Sequence, residues 1–567
     1  MNIPLVWEVY NMKKGTLLAA AASFGIAACI GAGLLSSAKT VQAASSKATG
    51  VAINATNFPD AKFREYVSIY DANGDKIFSS EEINYVTNIY LYDMGITNLK
   101  GVEVFTSLEH LNCTGNKITT LNISKNTKLK ELFCDNCGLT SLNLNANTLL
   151  EMLSCNNNLF TTLDLSKNTK LTYLGCGNLP LTALDVSKNT ALENLMIYNT
   201  PEITSLNVTN CPNLKYLYCE DVALTSLNVT KNCKLETLEL KYVSVSTLDL
   251  KNNTQLETLD LLNNALESID LSKNVNLDFL RVACNPLKTL NVRNNTKLTH
   301  LDCQLTKIAT LDISQNKELC NLDISETNIS VIDISHCPNL IKLVKEAEYI
   351  DAITGCSSYS KNYQNWDNRY LITNKDVQLI LFPSDLTGLT ASSAGNKTVR
   401  LSWKAVGNAD GYLIYGKKNG KYAYVGMTTN GTTYTDKKAL SEDYNYYWVF
   451  PFINSARGEM VTGSCAKYVY AKGILPAVSN LKASSVKGGV KLTWTASAGA
   501  EGYLVYGIVD GKPYKYIGMT TQGTTFTDKT ASASQYNYYW VYPYCKDASG
   551  KMIVGSCTKY TYGRALK

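Results

Sequence analysis

Histidine is almost missing from this sequence: three in 567 residues leave little material for imidazole catalysis or a zinc site. An excess of one charge is lacking too. Lys+Arg number 54 against 48 Asp+Glu, a balance of +6 with no basic block, so nucleic acid is not an expected partner. Beyond the N-terminal segment no apolar run reaches about 20 residues, which excludes a transmembrane helix once that segment is removed. HExxH, G-x-S-x-G and P-loop patterns are absent, as is a clear nucleophile–base pair. The expectation is a protein that is not an enzyme; a hydrolase using one of the many carboxylates stays open as an alternative. With 45% hydrophobic residues the chain is too apolar to be largely disordered.

Residues 12–43 read as an export signal. Met12-Lys13-Lys14 opens a cationic region, an apolar stretch runs from Leu17 to Leu35, and Val41-Gln42-Ala43 has the small-x-small form of a cleavage site. The expected location is secreted or cell-surface, with 51 cationic and 47 anionic residues left after cleavage. A competing reading makes Ile26-Ala27-Ala28-Cys29 a lipobox with Cys29 lipidated. The last residues, Gly563 to Lys567, carry no LPxTG-like sorting signal, so covalent wall anchoring is not expected.

The dominant feature is a repeat. Leu111, Leu132, Leu153, Leu174, Leu195, Leu217, Leu238, Leu259, Leu280, Leu301 and Leu322 recur with a 21-residue period, broken by one 22-residue step near Pro201. A second column runs from Leu121 to Ile332 and shifts at the same insertion. In-phase columns of this kind define a solenoid, in which neighbouring coils bury what one unit cannot. A unit reads Leu150-Glu151-Met152-Leu153-Ser154-Cys155 through Leu163-Asp164-Leu165-Ser166-Lys167-Asn168. This resembles the bacterial leucine-rich-repeat family, in its 21-residue, internalin-like class, over roughly residues 88–345. The resemblance implies a mostly β fold: a leucine-rich-repeat solenoid over 91–345, a helical N-terminal cap over 50–90 and a C-terminal cap over 346–383.

Polar columns have scaffold roles to fill. Asn126, Asn147, Asn168, Asn189, Asn232, Asn253, Asn274, Asn295 and Asn316 recur where a turn leaves buried backbone groups to satisfy. Cys113, Cys134, Cys155, Cys176, Cys219 and Cys303 fall two residues after the first-column leucine, on the inward side. Their Cβ vectors point the same way, which argues for packing rather than disulfides.

Positions that vary from coil to coil are the ones free to serve a ligand. After each second-column leucine stands Asn or Asp, on what reads as a monotonous second strand. On the first strand the outward positions vary and include Phe133, Met152, Tyr173, Met196, Tyr198, Tyr216, Tyr218, Phe279 and Arg281. Strand sheets usually line the concave side of solenoids, and aromatics there suit interface chemistry. Glu131, Asp135, Glu220, Glu239, Asp260, Asp302 and Asp323 would give that face an acidic border. The competing reading is a structural ladder of strand-favouring aromatics.

Ahead of the repeats, Phe58 to Val67 reads as an amphipathic helix. Asp71, Asn73, Asp75, Ile77, Ser79 and Glu82 then take positions 1, 3, 5, 7, 9 and 12 of a loop that looks like an EF-hand, with Lys76 where that family has glycine. No cofactor is required; the loop holds a structural calcium, or it caps the first coil and binds nothing.

The C-terminal part is duplicated. Tyr444-Asn445-Tyr446-Tyr447-Trp448 recurs at a 92-residue offset as Tyr536-Asn537-Tyr538-Tyr539-Trp540, and Val399 to Trp403 matches Val490 to Trp494. These patterns resemble fibronectin type III domains, over 384–473 and 475–567. The resemblance implies two β-sandwiches, with Trp403 and Trp494 in the cores and Tyr444 and Tyr536 as tyrosine corners. The expected function is noncatalytic extracellular recognition or adhesion, with a protein or glycan bound on the concave face. The alternative is binding of a carbohydrate or envelope polymer by the tandem sandwiches.

Overall fold

The structure, a computed structural model, describes residues 50–346, 349–350, 356–361, 369–374, 376–395, 397–418, 420–441, 443–455, 458–465, 467–546, 550–557 and 559–567. The export signal and Cys29 lie outside the described residues. The chain forms two compact units that divide near residue 379.

In the first unit the leucine column becomes the spine of one parallel sheet. Leu111 pairs with Leu132, Leu132 with Leu153, and so on in register to Leu301 and Leu322. Each of these leucines is fully buried, because alternation in a strand turns every second side chain inward and the next coil covers it. The sheet begins at Asn88–Tyr90, ahead of residue 91 where the sequence reading started the solenoid. Ile89 stands there in place of leucine. At the other end Arg369–Asn374 pairs in parallel with Asn321–Asp323, and Leu371 extends the buried column past the point where the 21-residue period is lost.

Each coil has a left-handed residue four positions after the leucine, from Gly115 and Asn136 to Leu305 and Glu326. The predicted second strand does not form along the repeat: Asn122, Asp164 and Asp312 each accept a bond from the N–H two residues on, making Asx turns instead of a ladder. Only Val331–Asp333 is a strand in that column. The buried asparagine column works across coils. Asn232 donates to the carbonyls of Val208 at 2.9 Å and Cys211 at 2.8 Å, and Asn253 to those of Val229 and Asn232. The six ladder cysteines are unbridged and buried beside the leucines.

The N-terminal cap is a helix, Ala61–Val67, whose N-cap Asp60 accepts from Lys62 and Phe63. The same carboxylate accepts from the N–H and hydroxyl of Thr97 in the first coil. Phe58 meets Phe63, Phe78 and Phe105 with ring centroids 5.7 to 6.3 Å apart, so cap and first coil share one aromatic core.

The second unit contains two β-sandwiches built alike. In the first, Thr390–Gly395, Thr398–Ser402 and Thr433–Asp436 make a three-stranded sheet. Lys421–Thr428, Gly411–Lys418, Asn445–Asn454 and Met460–Thr462 make the other sheet, with Val469–Ala471 also on Asn445–Asn454. Trp403 and Trp494 are core residues at 5% exposure, each edge-on to a buried tyrosine, Tyr412 or Tyr503. The tyrosine-corner assignment needs correction. Tyr444 and Tyr536 are exposed; the buried hydroxyls belong to Tyr447 and Tyr539, which donate at 2.8 Å to Asp436 and Asp528. Strand phase decides this, since Tyr447 lies on the inward alternation and Tyr444 precedes the strand.

Candidate functional site

The solenoid sheet is three residues wide in most coils, but it widens to seven at Asn194–Thr200 and Tyr216–Val222 and to five at Thr237–Lys241. The 22-residue step at Pro201 lies between the two seven-residue strands. Here the sheet brings together five of the singled-out residues: Tyr173, Met196, Tyr198, Tyr216 and Tyr218. Tyr173 donates to Met196 Sδ at 3.5 Å, and Tyr198 meets Tyr218 edge-on at 6.5 Å. Tyr216 donates to Glu239 Oε1 at 3.4 Å, Tyr218 donates to Glu220, and Lys241 Nζ sits 4.9 Å above the Tyr218 ring. All five are half-buried, so the cluster is both ladder and surface.

Two glycines in one coil let the tyrosines of this cluster lie close against the sheet. Gly175 stands in register between Ser154 and Met196, and Gly177 lies beneath the Tyr198 ring. Below them Asp135 accepts from Ser154 Oγ, Asn156 N and Asn156 Nδ2, each at 2.7 Å, while Asn156 accepts from Gly177 N. Burial raises the Asp135 carboxyl above its usual range despite those donors. Sequence reasoning missed this polar network. The signal was present, because Gly175 and Gly177 interrupt two outward columns in a single coil.

Other expected site residues lie elsewhere. Phe133 and Met152 occupy the two preceding coils, half-buried. Phe279 lies tilted against His300, ring centroids 5.8 Å apart, three coils beyond Tyr216. Arg281 is not an available contact: it is 9% exposed and its guanidinium is clamped on the fully buried Asp260. The acidic border is likewise largely internal. Glu239 and Asp323 are buried, Lys241 Nζ lies 2.6 Å from Glu239, and Asp302 is pushed up to about 7 by burial and by Asp323.

In the 71–82 loop, Lys76 adopts φ 64°, the left-handed turn of the expected glycine position. Asp71 accepts from Gly74 and Lys76, Asn73 from Asp75, and Asp75 from Ile77. Glu82 accepts from Ala72 and closes a capping box with Ser79 at the helix Ser80–Tyr85. The donors are hard oxygens, but among the described residues no three His, Cys, Asp or Glu side chains are gathered as a metal site. Among those residues no helix is long and apolar enough to cross a membrane.

No family model matches the chain. Over 71 residues, 12% of this chain, the sequence is 34% identical to Internalin J of Listeria monocytogenes serotype 4b (strain F2365), and the match spans 8% of that protein's length. Among solved structures, the functional domain of InlJ from Listeria monocytogenes, which includes a cysteine ladder, has a TM-score of 0.48 at 25% identity, covering 76% of this chain and all (100%) of that one. An Fn3-like protein from Clostridium thermocellum has a TM-score of 0.13 at 26% identity, covering 16% of this chain and 95% of that one. The chain is similar to Internalin J over those 71 residues, and it folds as a parallel-sheet solenoid followed by two β-sandwiches of like topology.

Proposed function

We propose that this is a noncatalytic, exported recognition or adhesion protein whose solenoid strand face binds an extracellular protein or glycan. The observation that carries it is the widened sheet at Asn194–Thr200 and Tyr216–Val222. A scaffold that repeats three-residue strands departs from its own rule where aromatic, thioether and acidic side chains are gathered. Tyr198, Tyr216 and Tyr218 supply ring area with hydroxyl edges, the pairing enriched at interface hot spots. Export rests on the signal pattern at 12–43, and the similarity to Internalin J supports an interaction role. The 71–82 loop is proposed to hold calcium in a structural role, on the strength of its oxygen donors and its left-handed Lys76.

The test is a pull-down with the mature chain from bacterial envelope and host extracellular extracts, beside a variant with Tyr173, Tyr198, Tyr216 and Tyr218 all changed to Ala. A partner held by wild type and lost by the variant, with melting still cooperative, supports the strand face. Equal retention by both removes it.

A further inference from the structure

The two halves of the chain carry opposite charge. Residues 44–383 hold 29 Lys+Arg against 37 Asp+Glu, whereas 384–567 hold 22 against 10, a net +12 on the β-sandwich pair. The acids there are partly withdrawn from the surface: Asp436 and Asp528 are buried beneath Tyr447 and Tyr539.

The larger sheet of each sandwich also breaks the usual alternation. Along Asn445–Asn454 the residues Asn445, Tyr447, Val449 and Pro451 are buried, and each position between them is a half-buried aromatic: Tyr446, Trp448 and Phe450. The second copy repeats this with Tyr538, Trp540 and Tyr542. An outward face of an antiparallel sheet is normally polar, and an aromatic one marks a binding surface. Neighbouring strands extend it with Tyr422 at 66% exposure and Tyr470 at 54%.

In the first copy the rings of Tyr415, Tyr422, Trp448 and Phe450 line a shallow cleft of about 370 Å³ that is open to solvent. Its walls meet at angles, 51° between Tyr422 and Trp448 and 82° between Tyr415 and Phe450. In the second copy the tyrosine equivalent to Tyr422 lies differently. Tyr514 is stacked on Tyr506 at 5.5 Å and 11°, edge-on to Trp540, with its hydroxyl bonded to Tyr542 at 3.1 Å. One copy therefore presents an open corner of rings, and the other has the same corner covered by its own tyrosine. Cations fringe both: Lys417 lies 5.0 Å above Tyr422, Lys472 4.9 Å above Tyr444, and Arg564 4.1 Å above Tyr536.

We propose that these outer faces bind an acidic polysaccharide, with a sugar ring seated in the Tyr415–Tyr422–Trp448–Phe450 cleft and its anionic groups on the surrounding lysines. A puckered sugar offers C–H groups in several directions, which suits rings meeting at an angle. A nucleobase is flat and stacks on a ring lying parallel to it. Tyrosine hydroxyls at the ring edges bond sugar hydroxyls. Two copies on one chain fit a polymer of repeating units, since the second contact becomes intramolecular. This site is separate from the solenoid face, so either proposal can fail alone.

The test measures tryptophan fluorescence of the mature chain during titration with polygalacturonate, dextran or poly-dT at low and high salt. The proposal expects binding of polygalacturonate, weakened by salt, with dextran much weaker and poly-dT weaker than polygalacturonate. Trp448→Ala should lower affinity about tenfold, and Trp540→Ala less. Tyr422→Ala, at a mostly exposed position where folding is least at risk, should lower it too, and the solenoid variant with four tyrosines replaced should bind polygalacturonate as wild type does. The proposal is overturned by no binding of polygalacturonate, by dextran or poly-dT binding as tightly, or by unchanged affinity in both Trp448→Ala and Tyr422→Ala.

Discussion

The ring of Tyr198 lies against the backbone of Gly177, one coil earlier: a Cβ built on Gly177 would stand 2.2 Å from Tyr198 Cε1. No real side chain tolerates that approach, so the glycine sets where the tyrosine rests. Gly177→Ala should push Tyr198 off the sheet and destabilise the solenoid by about 1–3 kcal/mol, as overpacking does. Urea melts of the full chain give the cost. A change of a few tenths of a kcal/mol would mean that Tyr198 does not depend on this contact.

Leu305 sits at φ 54° with its side chain 51% exposed, at the coil position that Asn136, Asn157, Asn178 and Asn263 occupy elsewhere. Left-handed backbone costs a branched apolar residue more than asparagine, and little apolar burial is lost on replacement. Leu305→Asn should stabilise the protein by roughly 0.5–1 kcal/mol. Thermal melting checks this, and a loss of stability would contradict it.

Asp302 binds its proton more tightly folded than unfolded, since burial and the neighbouring Asp323 and Asp260 outweigh the help of Arg281 and the Gln304 N–H. Below about 3.8 both states are protonated and the site contributes fully. As pH rises towards about 7 the unfolded chain ionises first, so the contribution falls and is lost above the folded value. Asp302→Asn should thus be more stable than wild type by roughly 1 kcal/mol or more at about pH 8, and nearly equal to it at about pH 4. Parallel melting curves at both pH values would rule this out.

The ladder thiols should be inert in the native protein. Cys113, Cys134, Cys155, Cys176, Cys219 and Cys303 are buried, and burial alone holds the Cys219 thiol up at about 12. Cys233 is exposed and should react with a maleimide at once. Mass mapping before and after denaturation separates the two classes. Rapid native labelling of the six would show that the coils open.

Calcium should raise the melting temperature of the full chain if the 71–82 loop gathers its donors around the ion. Lys76→Gly removes both the left-handed strain and an opposing charge, so it should enlarge the shift, and Asp71→Ala should abolish it. No shift in either wild type or Lys76→Gly would leave the loop as a capping element.

Much of the solenoid was legible because its order is local and repeated. A leucine column of constant period sets strand, inward face and register together. Leu371 was not legible, since it rejoins the column next to Leu322 only after a long excursion of the chain, off the period. Arg281 was misjudged as a contact although its partner Asp260 stands one repeat earlier, at the same coil position. Exposure of such a residue depends on the coil beside it and cannot be read from its own unit.

Coil length, the inward leucines and cysteines, the Asn turns and the duplicated sandwiches each follow from a short pattern met many times, so the amino-acid order is enough to settle them. Contacts across the fold decided which outward side chains remain available. Tyr198 rests on Gly177, Arg281 closes on Asp260, and Tyr422 stands open where Tyr514 folds over its equivalent site. The physical cause is that surface is what remains after neighbouring coils and strands have taken their contacts, and those neighbours are distant in the chain.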